Sequence, residues 1–234
     1  MIIEYFYISR LNSKKLKLKL ILIIIIYMSH KTLINNLKRQ QTFVMIKPDG
    51  VMRGLTGEII TRIERAGLKI VALKMTTATK EKLEAHYPMT DEAWVSRLGE
   101  KGLSAFEAAG LDPIEFLGTN NSLQIGQGVT ESLVQYMTSA PVVCMVIEGV
   151  QAVPMLRKIV GGTLPSKADM GTIRGDYSVD CPTVANVEGR ALHNLIHASE
   201  IVAEAELEIK IWFTADEINS YNLGNGDIMY SKHY

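Results

Sequence analysis

The sequence is poor in cysteine, proline and aromatic residues, and it has no net charge. Its 234 residues include two cysteines, seven prolines and 7% aromatic residues, and 25 basic side chains balance 25 acidic ones. Two cysteines, Cys144 and Cys181, exclude a disulfide framework, and the absence of a CxxC pair removes the usual signature of a structural zinc site. With 18 glycines, few prolines and 47% apolar residues, the chain is neither collagen-like nor disordered. We expect one or two cored domains in a reducing compartment.

The zero net charge hides an uneven distribution along the chain. Residues 1–40 hold eight basic and one acidic side chains, whereas residues 41–234 hold 17 basic and 24 acidic ones. The acidic body has no basic stripe with interleaved aromatic residues, so we expect no specific binding of nucleic acid.

Residues 1–27 differ in composition from the rest, because they are rich in Ile, Leu, Lys and Tyr and lack Ala, Gly, Val, Pro and Asp. Lysines within 14–19 and the apolar run 20–28 imitate a signal peptide, but no small-residue cleavage site follows. The nine apolar residues of that run are too few for a bilayer, which needs about 20. Three interpretations stay open: translated upstream sequence with Met28 as the start, which we favour, a membrane-associating segment, or an ordered part of the fold. We expect residues 1–40 to be an extension that is disordered or wrongly included.

From Gln41 onward the pattern predicts alternating strands and helices. Strands are predicted where apolar runs end at turn residues: Thr42–Ile46, Leu68–Met75 and Val142–Ile147. Helices are predicted over Val153–Val160 and after the N-cap candidates Thr56, Thr79 and Ser199. This order predicts an α/β sandwich with helices over one sheet.

Two stretches interrupt the alternation. Residues 88–130 are too long for a bare loop and carry a helical pattern with Trp94, Phe106 and Phe116, so we predict a folded helical insertion. A shorter and more polar insertion covers about 178–190. The remainder of 41–234 is predicted to be one domain.

Generic phosphate-binding motifs are incomplete in this chain. Residues 161–167 (GGTLPSK) lack the second glycine of a P-loop, and Gly126-Gln127-Gly128 is shorter than the dinucleotide fingerprint. The remaining candidates for binding an anion are Lys47 in KPDG, Arg157 in MLRK, Arg174 in GTIRGDY, and Asn194, His197 and Ser199 in NLIHASE. Each of them alone is a weak signal.

The joint order of five strings is specific. TFVMIKPDG at 42–50, RGLTGEII at 53–60, SAPVV at 139–143, GTIRGD at 171–176 and NLIHASE at 194–200 together resemble the nucleoside diphosphate kinase family. The resemblance covers about residues 41–221 apart from the insertions, and the insertions resemble those of archaeal and related bacterial members. It implies an α+β fold with a ferredoxin-like βαββαβ core, in which helices cover a four-stranded antiparallel sheet. It also implies transfer of the γ-phosphoryl group of ATP or another nucleoside triphosphate to nucleoside diphosphates by a ping-pong mechanism.

The resemblance assigns catalytic roles residue by residue. His197 is expected to carry the phosphoryl group as a pros-phosphohistidine, which suits an imidazole that is largely neutral at pH 7. Glu208 is expected to fix the histidine tautomer, and Ser199 and Tyr87 to lie beside the nucleophile. His86 and His193 have no matched role and are expected to be structural or exposed.

The same resemblance predicts how the nucleotide is held, because the transferred phosphoryl group needs positioning and cationic stabilisation. The expected nucleotide-binding residues are Lys47, Arg157, Thr163, Arg174 and Asn194, with Lys47 also reaching the phosphate. Mg²⁺ is the implied cofactor, held by nucleotide phosphates and water without a direct protein ligand, unless Glu200 takes part. Glu200 stands where the family usually has aspartate.

The base clamp departs from the family pattern, because the usual phenylalanine is replaced by Val129. Stacking by Val129 with Leu133 and stacking by an aromatic residue of the first insertion both stay open.

The resemblance implies a homo-oligomer that assembles through sheet edges and the loop 171–176, and we expect it to be cytoplasmic. Hexamer, tetramer and dimer all stay open, and the preference for one nucleobase over another stays open as well. Two other classes of protein are alternatives: a nucleotide-binding protein without turnover, against which the presence of His197, Lys47 and Arg174 argues, and a kinase anchored to a membrane by residues 14–28, which we do not favour.

Overall fold

The computed structural model describes residues 14–224 and 228–229, and four strands in it form one antiparallel sheet. The strands are β1 Gln40–Ile46, β2 Lys69–Thr76, β3 Val142–Gly149 and β4 Ile196–Ala198. Their order across the sheet is β2-β3-β1-β4, and all three pairings are antiparallel. The predicted ferredoxin-like core with a four-stranded antiparallel sheet is therefore confirmed.

Helices connect and cover these strands. In chain order the helices of the described residues are α1 Lys14–Lys38, α2 Pro48–Met52, α3 Thr56–Arg65, α4 Lys80–His86, α5 Glu92–Ala109, α6 Pro113–Leu117, α7 Ser122–Thr138, α8 Ala152–Val160, α9 Ile173–Tyr177, α10 Pro182–Val187 and α11 Val202–Trp212. Short 3-10 turns lie at Pro165–Lys167 and Ala215–Glu217.

Successive residues of β1 point to opposite faces of the sheet and so enter two hydrophobic cores. Phe43 and Met45 belong to the core under α4, α7 and α11, whereas Val44 and Ile46 belong to the core under α3, α8 and α9. All four side chains are fully buried. Because β1 is central and packed on both faces, the position of Lys47 directly after it is fixed.

The first insertion is helical, as predicted, and its two long helices touch closely. A Cβ atom added at Gly99 of α5 would lie 1.8 Å from the carbonyl oxygen of Ser122, and one added at Gly126 of α7 would lie 2.0 Å from that of Val95. Only glycine permits such an approach of two backbones. The helices α5 and α7 therefore form a tightly packed antiparallel pair.

Two of the three predicted helix caps are wrong. Thr56 is the first residue of α3, and Leu55 takes the N-cap position without a side-chain hydrogen bond. Ser199 does not cap α11, whose N-cap is Ile201, because the Ser199 hydroxyl donates to Glu208 instead. Thr79 does cap α4, since its hydroxyl accepts from the Lys82 amide at 3.3 Å.

Residues 14–38 form the single helix α1, which differs from the expected lack of order in this part of the extension. Its carboxyl end contacts the body, because the Leu37 carbonyl accepts from the Gln151 amide at 2.9 Å. Side chains such as Leu22 and Ile26 remain about half exposed at 58% and 47%. No helix among the described residues has the combined length and apolar character needed to cross a membrane. A start at Met28 stays a prediction, and residues 1–13 lie outside the described part of the chain.

Candidate active site

One cavity of about 320 Å³ collects most of the residues predicted for the site. Those that line it are Lys47, Tyr87, Val129, Arg157, Thr163, Arg174, Asn194, His197 and Glu200. They come from six separate parts of the chain, and His197 among them lies on strand β4, which pairs with β1. The volume is in the range that a small ligand occupies.

Glu208 and Ser199 lie behind the histidine and do not line the cavity. His197 Nε2 is 2.7 Å from Glu208 Oε1, and Ser199 Oγ donates to Glu208 Oε2 at 2.5 Å. Glu208 is only 1% exposed, and burial raises the pKa of its carboxyl. An ionised Glu208 holds the imidazole proton on Nε2, so that the lone pair remains on Nδ1.

The His197 imidazole is neutral at ordinary pH. Burial is the main cause that holds its pKa well below the usual value, and the positive charges of Lys47, Arg174 and Arg157 lower it further. A neutral imidazole is a nucleophile, whereas an imidazolium is not.

Lys47 and Arg174 are two buried cations beside this histidine, and neither forms an ion pair with a carboxylate of the described residues. Lys47 Nζ donates to Asn194 Oδ1 at 2.7 Å, and burial followed by the charge of Arg174 lowers its pKa to about 8. Burial and then the charge of Arg157 lower the pKa of Arg174 to about 10. Such incompletely neutralised charge in a cavity attracts an anion.

Arg174 is also bound to the backbone of the site. Its guanidinium donates to the carbonyls of Asn194 at 3.1 Å, Gly161 at 3.0 Å and Ile196 at 2.5 Å. A guanidinium has five N–H donors, so two remain for a ligand. Asn194 Nδ2 in turn donates to the Thr163 carbonyl at 2.9 Å, which fixes the loop after α8 against β4.

Arg157 is the most accessible of the three cations, with 33% of its side chain exposed. It reaches the Ala198 carbonyl at 3.5 Å and lies 4.0 Å from Glu200. Glu200 is largely exposed, and Glu204, which the sequence did not indicate, lines the same end of the cavity. The side chain of Glu204 accepts from the Glu200 amide, so two carboxylates stand near the cations.

Asp49 is a second residue that the sequence did not single out. Its buried carboxylate accepts from the Tyr136 hydroxyl, from the Gly50 amide at 2.9 Å and from the Leu195 amide at 3.1 Å. The Leu195 carbonyl accepts from the Lys47 amide at 2.8 Å. These bonds hold Leu195 at φ +68°, a left-handed conformation that costs a leucine about 1 kcal/mol. The turn after β1 therefore fixes the backbone between Asn194 and His197.

His86 was expected to be structural or exposed, and it is buried. Its Nδ1 lies 3.4 Å from both Glu208 Oε1 and Trp212 Nε1, and its ring centre is 4.6 Å from that of His197. Burial and the neighbouring His197 lower its pKa to about 3, so it is neutral. The three groups His86, His197 and Glu208 bring potential metal-binding atoms within 4.8 Å, but two nitrogens and one oxygen do not suit Mg²⁺, which prefers oxygen.

The insertions supply the other end of the cavity. Trp94 and Leu98 of α5 face the cavity together with Val129 and Leu133 of α7, and Asn186 of α10 closes it. The ring of Trp94 is centred 6.1 Å from that of Tyr87, which itself lies 6.1 Å from His197. Both candidates for base stacking, the Val129 pair and an aromatic residue of the insertion, thus reach the same space.

A neutral imidazole beside a lysine and two arginines is suited to accept a phosphoryl group, and it sits here on a ferredoxin-like sheet. These features define a phosphoryl-transferring protein, and comparison with known proteins agrees with this class. The family model described as "Nucleoside diphosphate kinase" matches residues 40–95 and 123–218. The chain belongs to the nucleoside diphosphate kinase family.

Individual relatives of the chain are also nucleoside diphosphate kinases. A nucleoside diphosphate kinase of Pyrobaculum aerophilum is 50% identical over 179 residues, which are 76% of this chain and 97% of the relative. One of Archaeoglobus fulgidus is 39% identical over 193 residues, covering 82% and 99%. A crystal structure of the Pyrobaculum aerophilum NDP kinase matches with a TM-score of 0.73 at 47% identity, covering 78% of this chain and 100% of that one.

A second solved structure is a nucleoside diphosphate kinase of Borrelia burgdorferi with bound vanadate and ADP, described as a transition-state mimic. It matches with a TM-score of 0.65 at 33% identity and covers 81% of this chain and 96% of that chain. The chain is thus an enzyme that transfers the γ-phosphoryl group of a nucleoside triphosphate to a nucleoside diphosphate.

Proposed function

We propose that His197 carries the phosphoryl group between the two nucleotides in a ping-pong reaction. The contact between His197 Nε2 and Glu208 Oε1 at 2.7 Å carries this proposal, because it leaves Nδ1 as the nucleophilic atom. Nδ1 attacks the γ-phosphorus, the bond to the bridging oxygen breaks, and the nucleoside diphosphate leaves with that electron pair. A terminal oxygen of the second nucleoside diphosphate then attacks the phosphorus, and the P–N bond breaks.

Charge at the phosphoryl group is balanced by the cations of the cavity. Lys47 and Arg174 are buried beside His197, and Arg157 closes the solvent side. We assign the phosphates to Arg157, Thr163 and Arg174, and the sugar hydroxyls to Asn194 and Lys47, with Lys47 also reaching the transferred group. Tyr87 lies beside the nucleophile, and Ser199 acts through Glu208, which it holds by its hydroxyl. Preorganised cations of this kind need no rearrangement as negative charge spreads over the phosphoryl oxygens.

The donor set at the phosphate end fits a magnesium ion carried by the nucleotide. Glu200 and Glu204 offer carboxylate oxygens at the rim beside Arg157, and a hard cation takes such oxygens through water. Bound with the nucleotide, Mg²⁺ would supply additional neutralisation of the β- and γ-phosphates. The residues of this chain would then orient the phosphates and hold the proton of His197 at Nε2.

Two further features extend the proposal. Leu73 and Met75 on the edge strand β2 are 50% and 60% exposed, which supports assembly into a homo-oligomer through the sheet edge. Cys144 and Cys181 are both free, which supports a reducing, cytoplasmic location. Residues 41–234 act as the kinase domain in this proposal.

Labelling with γ-³²P-ATP tests the assignment of His197. We expect an acid-labile, base-stable label that a nucleoside diphosphate removes and that alkaline hydrolysis releases as pros-phosphohistidine. His197→Ala is expected to take up no label. His193→Asn is the matched control, because the His193 ring stacks on Tyr136 at 4.8 Å and does not line the cavity. Label retained in His197→Ala, or tele-phosphohistidine in the unchanged enzyme, contradicts the mechanism.

A further inference from the structure

We propose that the nucleobase binds between the two insertions, where Trp94 is its stacking surface and Asn186 is the polar group at its edge. This inference rests on the proposed function, because it requires a nucleotide whose phosphates lie at His197. In this proposal the first insertion takes part in substrate binding. Trp94 takes the role of the phenylalanine that this chain lacks at position 129, where it has Val129.

Trp94 is the aromatic residue that the first insertion contributes to the cavity. It lies in the first turn of α5, where Asp91 caps the helix by accepting from the amides of Ala93 at 2.9 Å and Trp94 at 3.4 Å. The centre of its ring is 6.1 Å from that of Tyr87, and the ring of Tyr87 is in turn 6.1 Å from that of His197. The backbone at Trp94 is therefore fixed, and its ring is separated from the nucleophile by the ring of Tyr87, which leaves room for a sugar between phosphate and base.

The indole suits this task better than the aliphatic side chains around it. Val129 and Leu133 line the same space and are half-buried, but neither has a π face. Every nucleobase presents a π face to an aromatic ring, so stacking is strong and tolerant of base identity. Trp94 thus accounts for binding of a base at a site where the family pattern is interrupted.

Asn186 lines the same cavity from the second insertion. A Cβ atom added at Gly102 of α5 would lie 2.8 Å from Asn186 Nδ2, so the two insertions touch at this point. Within residues 14–224, no hydrogen bond engages the amide group of Asn186. An amide both donates and accepts, and either end can be turned toward a ligand. A base lying on Trp94 would have this group beside its edge.

The second insertion is fixed to the catalytic backbone. Asp180 accepts from Arg190 Nη1 at 2.6 Å and from Nη2 at 2.9 Å, and it also accepts from the His193 amide at 2.8 Å. His193 directly precedes Asn194 in the chain. The base site and the phosphate site are therefore parts of one rigid frame, which lowers the entropic cost of holding a nucleotide across both.

Fluorescence gives a direct test, because the chain has only two tryptophans. Trp212 is 1% exposed in the core, and in Trp212→Phe the emission comes from Trp94 alone. We expect ADP with Mg²⁺ to change this emission in a saturable manner, and inorganic tripolyphosphate, which has no base, to leave it unchanged. Equal responses to both ligands, or no response to ADP, would overturn the proposal.

Steady-state kinetics provide an independent test in the otherwise unchanged enzyme. Trp94→Ala is expected to raise the KM for ADP and GDP about tenfold, with kcat within threefold, whereas Trp94→Phe recovers most of the loss. Asn186→Ala is expected to alter the ratio of kcat/KM between GDP and CDP by at least about threefold. A KM change below threefold in Trp94→Ala would refute the stacking role, and an unaltered ratio in Asn186→Ala would refute the edge contact.

Phe116→Ala is the matched control. Phe116 belongs to the same insertion, packs on Phe106 at 6.2 Å and lies outside the cavity, so this variant should keep the KM values of the unchanged enzyme. Each variant is also labelled with γ-³²P-ATP at saturation. If Trp94→Ala and Asn186→Ala are fully labelled and keep unchanged KM values, the base site is rejected and the role of His197 stands. If the unchanged enzyme itself takes up no label, the role of His197 is rejected.

Discussion

Glu208→Gln isolates the electrostatic contribution of one buried carboxylate to phosphoryl transfer. The substitution keeps the size of the side chain and removes its charge. An amide oxygen can still accept from His197 Nε2, but the NH₂ group cannot accept from the Ser199 hydroxyl, which now donates to Glu208 at 2.5 Å. Since Glu208 is 1% exposed, water does not replace the lost interaction.

The size of the effect follows from the two hydrogen bonds. A hydrogen bond to a charged group contributes about 1.5–3 kcal/mol and a neutral one about 0.5–1.5 kcal/mol. The developing positive charge on His197 therefore loses about 1–2 kcal/mol of stabilisation, which corresponds to phosphorylation about 5- to 30-fold slower. Because Glu208 does not line the cavity, the affinity for nucleotide should change less than about twofold.

Rapid-quench measurement of a single turnover with saturating γ-³²P-ATP gives the rate of the phosphorylation step directly. Glu206→Gln is the matched control, since Glu206 is an exposed glutamate on the same helix α11 and its substitution should leave the rate unchanged. Phosphorylation of Glu208→Gln at the unchanged rate would refute the reasoning. So would a loss that appears only in nucleotide affinity.

Three further predictions concern pH and packing. Lys47, with its pKa lowered to about 8, is charged below that pH and neutral above it, so the KM for ADP should rise above pH 8 and this rise should be absent in Lys47→Arg. The pKa of His197 lies well below 6.5, so its single-turnover phosphorylation rate should be flat between pH 6 and 7.5, whereas the rate of an ordinary imidazole would rise about fourfold from pH 6 to pH 7.5. Gly99→Ala places its methyl group against the Ser122 carbonyl and should destabilise the fold by about 1–3 kcal/mol in urea unfolding. Gly128→Ala on α7 meets no atom within 4 Å and should stabilise it by up to about 1 kcal/mol; equal midpoints for the two variants would contradict the close packing.

The sequence was sufficient for features that short segments encode. The strand that ends at Lys47, the strand Val142–Gly149 and the helix capped by Thr79 follow from local apolar patterns and turn residues. The predicted site residues were taken from a resemblance and lie around one cavity or directly behind it. Local pattern and family order were thus enough to predict which parts of the chain meet.

Interactions that join distant positions could not be predicted in the same way. Asp49 binds the Leu195 amide across 146 positions, and no periodicity of either segment indicates this bond. Ser199 looked like a helix cap because its position suits one, but a buried carboxylate on the next helix was the stronger partner. His86 was expected to be structural or exposed, and only the fold decides between the two: its side chain is buried beside Glu208 and Trp212.

The construction of the cavity from two sources has a consequence for inhibitors. The family model covers the phosphate end and also Trp94, Val129 and Asn186, but it passes over residues 96–122, which are the greater part of α5 and contribute Leu98, Lys101 and Gly102 to the cavity. A compound that occupies only the phosphate end would act on kinases of this family in general. A compound that extends between α5 and α10 would distinguish this enzyme from members without the insertion, and chemical selectivity would come from the part of the cavity farthest from the reaction.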